Sequence, residues 1–369
     1  MIKQERVTDP KLIYQKLITE LRRSIPETIV PDFELEIKAG LVGRIEALKQ
    51  EKHAVILGHN YMEPVLFYTV PDYRGDSLEL SRRAATTDAD VIVFCGVHFM
   101  AETAKILNPT KKVLIPSLEA GCSLAEGIKP ADLIWLRQQY PHLPIVTYIN
   151  SSAEVKALSD VCCTSGNVKE VVRWAAENWA TNSVIFLPDK YMARNVANDL
   201  SMRFYFPDRK STPKAEVEVT DAPTIVGWNA RCYVHEQYTP EHVHQIRAEY
   251  PDVVVLAHPE CPPEVIAQSD FSGSTSAMAQ YIEKNGHDKK IALLTECSMG
   301  DNIAGANPDK EMLRLCSVRC PHMNEITLED TLKALQNTQY VIEIPEEIRV
   351  RALKSVERMI AIGASGSKD

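Results

Sequence analysis

The segment RCPHMNEITLEDT, residues 319–331, has two counterparts earlier in the chain, and this repetition decides the fold that we predict. GCSLAEGIKPADL (121–133) and RCYVHEQYTPEHV (231–243) each align with it on one cysteine. Eight residues after each cysteine comes a position typical of a helix start. The aligned residues are Cys122, Cys232 and Cys320, followed by Pro130, Pro240 and Leu328. The pattern predicts three homologous units.

Two further features recur in each unit. A polar residue near the end of the first predicted strand is followed, 17 positions later, by a hydroxyl residue in front of a helical pattern. A hydroxyl in that position is typical of a helix N-cap, and each one alone is more simply explained as a cap than as a ligand. The threefold recurrence favours a shared functional role. The pairs are Asn60 and Ser77, Tyr148 and Ser165, and His258 and Thr275.

Short apolar runs rich in β-branched residues alternate with helical patterns along the chain, which predicts parallel sheets covered by helices. We therefore predict an α/β fold of three α/β/α units with short parallel sheets, related by a pseudo-threefold axis, with the active site at their central junction. The runs are AVILGH (54–59), DVIVFC (90–95), KVLIPS (112–117), PIVTYI (144–149), SVIFLP (183–188), PTIVGW (223–228), DVVVLA (252–257) and KIALLT (290–295).

The expected domain organisation follows from these repeats. The Met-to-Cys distance is longer in the middle unit than in the other two, so an insertion is expected there. The predicted segments are an N-terminal helical extension (1–45), a first unit (46–140), a second unit (141–248) with an insertion near 201–220, a third unit (249–345), and a C-terminal helix and tail (346–369).

Composition limits the function classes. With 45% hydrophobic and 25% charged residues, the chain has ordinary globular composition. Its net charge of −9 argues against nucleic-acid binding, which requires a positive surface. The N-terminal residues contain no apolar leader, and the apolar runs are too short to cross a membrane. We expect a cytoplasmic protein with no membrane partner, in which the cysteines serve as core residues, metal ligands or reactive groups rather than bridges.

A triangle of thiols is expected around the pseudo-threefold axis, formed by Cys122, Cys232 and Cys320. Three thiolates without histidine are unusual for a catalytic zinc. A cubane iron–sulfur cluster normally takes four cysteines, so three would leave one iron free to act as a Lewis acid. The cluster is our preferred interpretation, and three core cysteines at equivalent positions are the alternative. Cys316 is the main competing ligand, but it has no counterpart in the other units.

Polar residues at the predicted strand ends complete the candidate site. Histidine, glutamate and tyrosine can transfer protons, and helix N-termini favour carboxylate or phosphate groups. His235, three residues after Cys232, is either a proton carrier or a histidine in a surface turn. The strand-end residues are His59, Tyr61, Tyr148, Asn150, His258 and Glu260.

Seven short motifs, taken together and in this order, resemble the quinolinate synthase family of bacterial de novo NAD synthesis. The motifs are GHNY (58–61), GDSLELSRRA (75–84), GCSLA (121–125), TYINSSAEVKALSDVCCTSGN (147–167), HPE (258–260), GST (273–275) and CPHM (320–323). The resemblance implies three α/β/α units and a [4Fe–4S] cluster. It also implies condensation of iminoaspartate with dihydroxyacetone phosphate to quinolinate, with loss of phosphate and water.

The resemblance also implies roles for individual residues. Tyr61 resembles the family's catalytic tyrosine, with His59, Glu260 and His235 as further candidate proton carriers. The implied cluster ligands are Cys122, Cys232 and Cys320. The implied substrate-binding residues are His59, Ser77, Tyr148, Ile149, Asn150, Ser165, His258, Pro259, Glu260 and Thr275. The implied functional partner is an L-aspartate oxidase or dehydrogenase that supplies iminoaspartate, and a homodimer is possible.

The residues themselves leave two alternative functions open. One is a zinc-dependent or metal-free lyase of the same architecture, in which the thiols are structural. The other is a non-catalytic protein that binds dicarboxylates.

Overall fold

A computed structural model describes residues 7–22, 27, 30–207, 222–285, 289–313 and 318–365. Its α-helices are α1 (Pro10–Leu21), α2 (Asp32–Glu51), α3 (Pro64–Thr69), α4 (Ser77–Thr86), α5 (His98–Leu107), α6 (Ser123–Glu126), α7 (Pro130–Gln139), α8 (Ala153–Leu158), α9 (Val168–Asn178), α10 (Lys190–Asp199), α11 (Pro240–Glu249), α12 (Pro263–Ile266), α13 (Thr275–Asn285), α14 (Cys297–Ala306), α15 (Pro321–Asn324), α16 (Leu328–Asn337) and α17 (Glu346–Ser365). Its strands are β1 (Ala54–His59), β2 (Tyr73–Gly75), β3 (Val91–Cys95), β4 (Lys112–Leu114), β5 (Ile145–Tyr148), β6 (Val161–Cys163), β7 (Val184–Leu187), β8 (Arg203–Tyr205), β9 (Thr224–Val226), β10 (Val254–Ala257), β11 (Phe271–Ser272), β12 (Lys290–Leu294) and β13 (Glu311–Leu313).

The strands form three short sheets, ordered β2–β1–β3–β4, β6–β5–β7–β9–β8 and β11–β10–β12–β13. All the pairings between these strands are parallel. Every residue of β1, β5, β7 and β10 is buried, as expected for parallel strands covered by helices on both faces. The predicted α/β fold of three units with short parallel sheets is confirmed.

Each unit also contains what we call an aspartate clamp. An aspartate just before the second strand accepts the backbone N–H of a residue in the first strand, and it pairs with a cation 23 positions earlier on the preceding helix. The clamp pairs the carboxylate with a cation and a backbone N–H, and it ties helix, first strand and second strand together. The clamps are Asp72 with Ile56 N (2.9 Å) and Lys49 (3.1 Å), Asp160 with Ile145 N (2.7 Å) and Arg137 (2.8 Å), and Asp270 with Val255 N (2.8 Å) and Arg247 (3.0 Å).

The helix that begins eight residues after each aligned cysteine packs on the next unit, and the one after the third cysteine packs on the first unit. α7 and α11 share core clusters with the second and third sheets, and α16 packs against α2 and β3 of the first unit. All three helices begin at the residues expected from the sequence, Pro130, Pro240 and Leu328. By packing, α7 and α11 therefore belong with the sheets after them, although the predicted unit boundaries at 140 and 248 leave them with the sheets before. The division of the chain at those boundaries stays a prediction.

The remaining predicted segments pack against these three units. α1 and α2 pack together in the expected N-terminal extension, but α2 continues to Glu51, so the boundary at 45 falls within it. The strand β8 adds an edge to the second sheet where the insertion near 201–220 begins. Residues 208–221 of that insertion lie outside the described residues. α17 packs on α8, β6 and α9 of the second unit.

Candidate active site

A cleft of about 750 Å³ lies where the three units meet. All three units contribute to its lining, and no lysine or arginine is among the described residues that line it. The structure brings together here most of the residues predicted from the sequence. These are His59, Tyr61, Ser77, Cys122, Tyr148, Asn150, Ser165, Cys232, His235, His258, Glu260, Thr275 and Cys320.

Strand ends position the polar groups, as predicted. His59 and Tyr148 are the last residues of β1 and β5, and His258 directly follows β10. The two histidines share one local geometry. The backbone N–H of Tyr61 donates to His59 Nδ1 at 3.2 Å, and that of Glu260 donates to His258 Nδ1 at 3.3 Å. Because Nδ1 accepts in both rings, a neutral ring carries its proton on Nε2 and can donate from there.

Burial keeps both of these histidines neutral. Removal from water lowers the pKa of His59 to about 4 and that of His258 to about 3. Neighbouring carboxylates, Asp76 and Glu260 for His59 and Glu260 for His258, oppose this shift without reversing it. At neutral pH the two rings are therefore uncharged hydrogen-bond donors in a cleft whose described lining contains no lysine or arginine.

These shifts predict a pH-dependent stability. An unfolded histidine binds its proton near pH 6.5, whereas folded His59 does so only near pH 4, so the unfolded state holds more protons between these values. The free energy of unfolding therefore falls as the pH falls, by about 1.5 kcal/mol per such histidine between pH 6.5 and 5. Urea unfolding at the two pH values is expected to show a smaller loss for His59→Gln than for the parent chain. His142→Gln, at an exposed position, is the control, and equal losses in all three chains would refute the prediction.

Glu260 is the centre of a hydrogen-bond network between units. Its Oε1 accepts the Tyr148 hydroxyl at 2.7 Å, and its Oε2 lies 2.7 Å from His235 Nδ1. Burial alone would raise the pKa of Glu260, but attraction to His235 and His258 and these hydrogen bonds hold that pKa below its usual range. Glu260 is therefore an ionised acceptor, and His235 Nδ1 donates to it.

The network continues from His235 to Tyr61 through a residue that the sequence analysis did not single out. His235 Nε2 lies 3.0 Å from the hydroxyl of Thr295, and that hydroxyl lies 2.8 Å from the phenolic oxygen of Tyr61. Burial, followed by repulsion from Glu260, raises the pKa of Tyr61 well above its usual value, and the hydrogen bond to Thr295 opposes the rise.

The three predicted hydroxyl residues, Ser77, Ser165 and Thr275, line the cleft, but none of them is the helix N-cap expected from the sequence. Neighbouring residues occupy the cap positions instead, namely Asp76 for α4, Asn167 for α9 and Ser274 for α13. The Asp76 carboxylate, for example, accepts the N–H groups of Leu78 and Glu79 at 3.1 and 3.0 Å. The hydroxyls of Ser77, Ser165 and Thr275 therefore do not cap these helices, although capping was the simpler explanation of their positions.

These helix starts converge from different units. Asn60 Nδ2 donates to the Thr275 hydroxyl at 2.9 Å, which joins the first and third units. A side chain built at Gly166 would begin 3.6 Å from the Ser274 hydroxyl and 3.8 Å from the Asp76 carboxylate. The hydroxyl-bearing helix starts therefore form one polar wall of the cleft.

The three aligned cysteines also reach the cleft, one from each unit, and each precedes a short helical turn. Burial raises the pKa of the Cys122 thiol to about 12, that of Cys320 to about 11, and that of Cys232 well above its usual value. The backbone N–H groups two and three positions after each cysteine oppose this rise. The metal-free thiols are therefore protonated, and binding a metal must release their protons.

The spacing of the thiols distinguishes between metal centres. Among the described residues, the one group of three potential ligands whose donor atoms all lie within 4.8 Å of one another is Cys232, His235 and Glu260, so at least one distance between the three aligned sulfurs exceeds 4.8 Å. Three thiolates on one zinc would lie ~3.8 Å apart, given Zn–S bonds of ~2.3 Å. A cubane gives each thiolate its own iron and requires a wider triangle. The donor set therefore fits a cluster better than a single ion.

The group of Cys232, His235 and Glu260 is poorly suited to hold a metal ion. Both ring nitrogens of His235 are engaged, one at 2.7 Å from Glu260 and the other at 3.0 Å from Thr295. A metal could bind this histidine only at the expense of one of those hydrogen bonds.

Ile149 and Pro259 are not among the residues that line the cleft, because neighbours along an extended chain point to opposite sides. Their part in substrate binding stays a prediction. Ile149 is in the core, and the Pro259 carbonyl accepts Asn195 Nδ2 at 2.8 Å. Cys297 is disulfide-bonded, contrary to the expectation that no cysteine forms a bridge. Cys316 lies outside the described residues.

The cleft also contains residues that the sequence analysis missed, among them Asp76, Phe99, Met100, Thr164 and His322. For three of them the sequence does give a usable signal. Asp76 and Thr164 directly precede the predicted hydroxyl residues Ser77 and Ser165, and His322 is two residues after the aligned Cys320. Phe99 and Met100, in the first turn of α5, have no such signal.

The three-unit α/β fold and a central cleft with thiols, ionisable side chains and hydroxyls are typical of an enzyme for small molecules. A family model described as "Quinolinate synthetase A protein" matches residues 43–361. The chain belongs to the quinolinate synthase family.

Relatives with that name resemble the chain over most of its length. Quinolinate synthase 2 of Mesorhizobium japonicum is 48% identical over 336 residues, which cover 91% of this chain and 95% of that protein. Quinolinate synthase of Xylella fastidiosa is 49% identical over 315 residues, or 85% of each chain. Quinolinate synthase of Agrobacterium fabrum is 43% identical over 360 residues, or 98% of this chain and 95% of that protein.

The helices of the described part of the chain are all too short or too polar to span a membrane.

Proposed function

We propose that this chain condenses iminoaspartate with dihydroxyacetone phosphate to quinolinate, releasing phosphate and water, as a cytoplasmic step of NAD biosynthesis. The observation that carries the proposal is the meeting of three thiols with three hydroxyl residues, one of each from every unit, in a single cleft. Membership of the quinolinate synthase family supports the choice of reaction.

Neutral donors bind the substrates in this proposal. Iminoaspartate has two carboxylates and dihydroxyacetone phosphate has a phosphate, and the described lining contains no lysine or arginine to meet them. The hydroxyls of Ser77, Ser165 and Thr275, near helix N-termini, favour such anions. His59 and His258 add Nε2–H donors, and Asn150 adds an amide.

The proposed cofactor is a [4Fe–4S] cluster held by Cys122, Cys232 and Cys320. When bound, it supplies an iron without a protein ligand that acts as a Lewis acid toward a substrate oxygen.

Proton transfers are assigned to the network around Glu260. Tyr61 and His59 lie in the cleft with their rings 4.7 Å apart, so both can reach one substrate. Imine formation and dehydration need groups that donate and accept protons at neighbouring atoms. Tyr61, His59, His235 and Glu260 are the proposed carriers, and ionised Glu260 stabilises any positive charge that develops on His235.

The proposed substrates imply partners. Iminoaspartate must come from an enzyme that oxidises aspartate, so an L-aspartate oxidase or dehydrogenase is the proposed functional partner. A homodimer is a further proposal.

Anaerobic purification with iron, zinc and acid-labile sulfide analysis tests the cofactor. The proposal predicts about four irons and four sulfides per chain, and quinolinate from the two substrates. Zinc without sulfide, together with turnover, would favour the zinc-dependent lyase. Tight dicarboxylate binding without turnover would favour the non-catalytic protein.

Replacing Ser77, Ser165 or Thr275 by alanine is expected to weaken substrate binding and leave the cluster in place. Each change removes one hydroxyl bond to an anion, worth ~1.5–3 kcal/mol, or about a tenfold to hundredfold loss of affinity. Calorimetric titration with quinolinate, alongside the iron-to-protein ratio, measures both effects.

Ser152→Ala is the matched control for these substitutions. Ser152 caps α8, where its hydroxyl accepts Val155 N at 3.4 Å, and it does not line the cleft. We expect it to lower stability by ~1 kcal/mol without changing affinity. Unchanged affinity in all three cleft variants would show that these hydroxyls do not bind substrate.

A further inference from the structure

The turns that follow β1 and β10 have the same geometry, and each carries a proposed proton carrier. In each turn the carbonyl of a histidine accepts the backbone N–H three positions later, at 3.0 Å for His59 and at 2.9 Å for His258. Tyr61 and Glu260 occupy equivalent positions, two residues after the histidine of their own turn. The direction of both side chains therefore depends on the same short piece of backbone.

Asn302, on α14 of the third unit, holds the turn of the first unit that carries Tyr61. It is 3% exposed, and its Nδ2 donates to the carbonyls of Asn60 and Met62 at 3.0 and 2.9 Å. A side-chain amide has two N–H bonds, so both are used on this one turn. The two carbonyls flank Tyr61 in the sequence, and holding both of them fixes the backbone from which its side chain extends.

Asn195, on α10 of the second unit, makes the same contact with the turn of the third unit that carries Glu260. It is 6% exposed, and its Nδ2 donates to the carbonyls of Pro259 and Cys261 at 2.8 and 2.9 Å. Like Asn302, it comes three residues after the methionine that recurs in each unit. We call each of these contacts, between one asparagine and the two carbonyls that flank a proton carrier, an amide bridge.

The corresponding turn of the second unit, which carries Asn150, has no amide bridge within the described part of the chain. The recurring position is a threonine here, Thr103, and its hydroxyl donates to the Phe99 carbonyl of its own helix at 2.8 Å. The carbonyl of Ser151 instead accepts Nζ of Lys156, from α8 of the same unit. The two amide bridges therefore coincide with the two turns that carry proposed proton carriers, whereas the third turn carries a proposed substrate ligand.

We propose that Asn302 is a positioning residue for Tyr61, and Asn195 for Glu260, in the proton transfers of the condensation. A buried carbonyl without a donor is unfavourable, so a turn that loses its amide bridge rearranges, and the side chain that it carries moves with it. Proton transfer requires groups within hydrogen-bond reach, and a displacement of about 1 Å can lower a rate about a hundredfold. The proposal rests on the proposed function, which gives Tyr61 and Glu260 their roles.

The kinetic test uses Asn302→Leu and Asn195→Leu in the iron-loaded enzyme, because leucine is similar in size to asparagine but has no N–H donor. We expect each change to lower kcat about 10- to 100-fold, to alter KM by no more than about threefold, and to leave the iron content unchanged. Loss of substrate binding alone would raise KM and leave kcat unchanged. Unchanged kcat in either variant overturns the role of that asparagine.

Asn108→Leu is the matched control. Asn108 is 6% exposed, and its Nδ2 also donates to two carbonyls, those of Ala84 and Ala104 at 2.9 and 3.0 Å, outside the described lining of the cleft. We expect this variant to lose stability and to change kcat by no more than about twofold, because no proton carrier lies on the backbone that it holds. A loss of kcat equal to that in Asn302→Leu would show a general effect of lost hydrogen bonds and overturns the proposal.

A readout without turnover reports the position of Tyr61 directly. Its phenolic oxygen lies 2.8 Å from the Thr295 hydroxyl, so a displaced ring changes this hydrogen bond. Tyrosine labelled with ¹³C at Cζ has an infrared C–O stretch that shifts with hydrogen bonding, and Tyr61→Phe assigns the Tyr61 band. We expect the band to move in Asn302→Leu and to stay in place in Asn108→Leu; an unmoved band in Asn302→Leu overturns its positioning role.

The infrared band also separates this proposal from the proposed function. If no variant, including the parent, makes quinolinate, the proposed function fails, while the band still decides whether Asn302 positions Tyr61. If Asn302→Leu does not fold, Asn302→Ala takes its place, because alanine also removes both donors.

Discussion

Alanine at any one of Cys122, Cys232 and Cys320 is expected to abolish both bound iron–sulfide and quinolinate formation. The three thiols come from three units and meet in one cleft, so in the proposed centre each would supply one ligand, and the described lining of the cleft contains no further cysteine to replace it. A cubane with only two protein ligands is poorly held. Iron and sulfide analysis after anaerobic purification, together with turnover, gives the result. We expect less than about a tenth of the parent iron content in each variant.

Other cysteines provide matched controls for these variants. Cys95 and Cys162 are fully buried in the core, where their sulfurs lie 3.6 Å from the Thr331 hydroxyl and 3.4 Å from the Ser355 hydroxyl. Cys95→Ala and Cys162→Ala are expected to keep the cluster and to lose ~1 kcal/mol of stability. Cys316→Ala is likewise expected to keep cluster and activity. Iron loss in Cys316→Ala, with retention in Cys320→Ala, would show that the repeat alignment assigns the wrong third ligand.

Glu260→Gln is expected to lower kcat by ~10²–10⁴-fold and to leave the iron content unchanged. Glutamine has the same shape but no charge, and its amide offers one acceptor oxygen where the carboxylate has two. It cannot stabilise an imidazolium at His235, and it removes the reason for His235 to hold its proton on Nδ1. Steady-state kinetics with the iron-to-protein ratio measures the effect.

Glu102→Gln tests whether the loss of any buried carboxylate has this effect. Glu102 is 8% exposed, and its Oε2 accepts Ala153 N at 3.0 Å outside the cleft lining. We expect that variant to change kcat by about threefold or less and to lose stability, since glutamine can still accept that bond. Comparable kcat losses in the two variants would remove Glu260 from the proposed chemistry.

Most of the architecture could be predicted because its central strands carry strong signals. All eight predicted apolar runs contain strands, and β1 has the predicted bounds, 54–59. The strands β2, β6, β8, β11 and β13 were not predicted. They have two or three residues each, too few to show a pattern, and they exist because a longer neighbouring strand offers free backbone groups. Tertiary pairing decides such strands, and local sequence does not.

The candidate site was less completely predictable. The repeats place the cysteines, hydroxyls and strand-end residues, because equivalent positions of homologous units face one axis. The repeats cannot show which of two adjacent polar residues caps a helix. The caps are Asp76 and Ser274, where Ser77 and Thr275 were expected. Thr295 was missed because its hydrogen bond to Tyr61 joins residues 234 positions apart, and no local sequence pattern indicates such a contact.

The placement of α16 has a consequence for synthesis of the chain on the ribosome. α16 covers α2 and β3 of the first unit, although it is made more than 200 residues after β3. At 5–20 residues per second, the apolar surface of the first unit waits roughly 10–45 s for its cover. The apolar surface of the first unit is therefore open to aggregation during most of translation. It is covered only when α16 has been made.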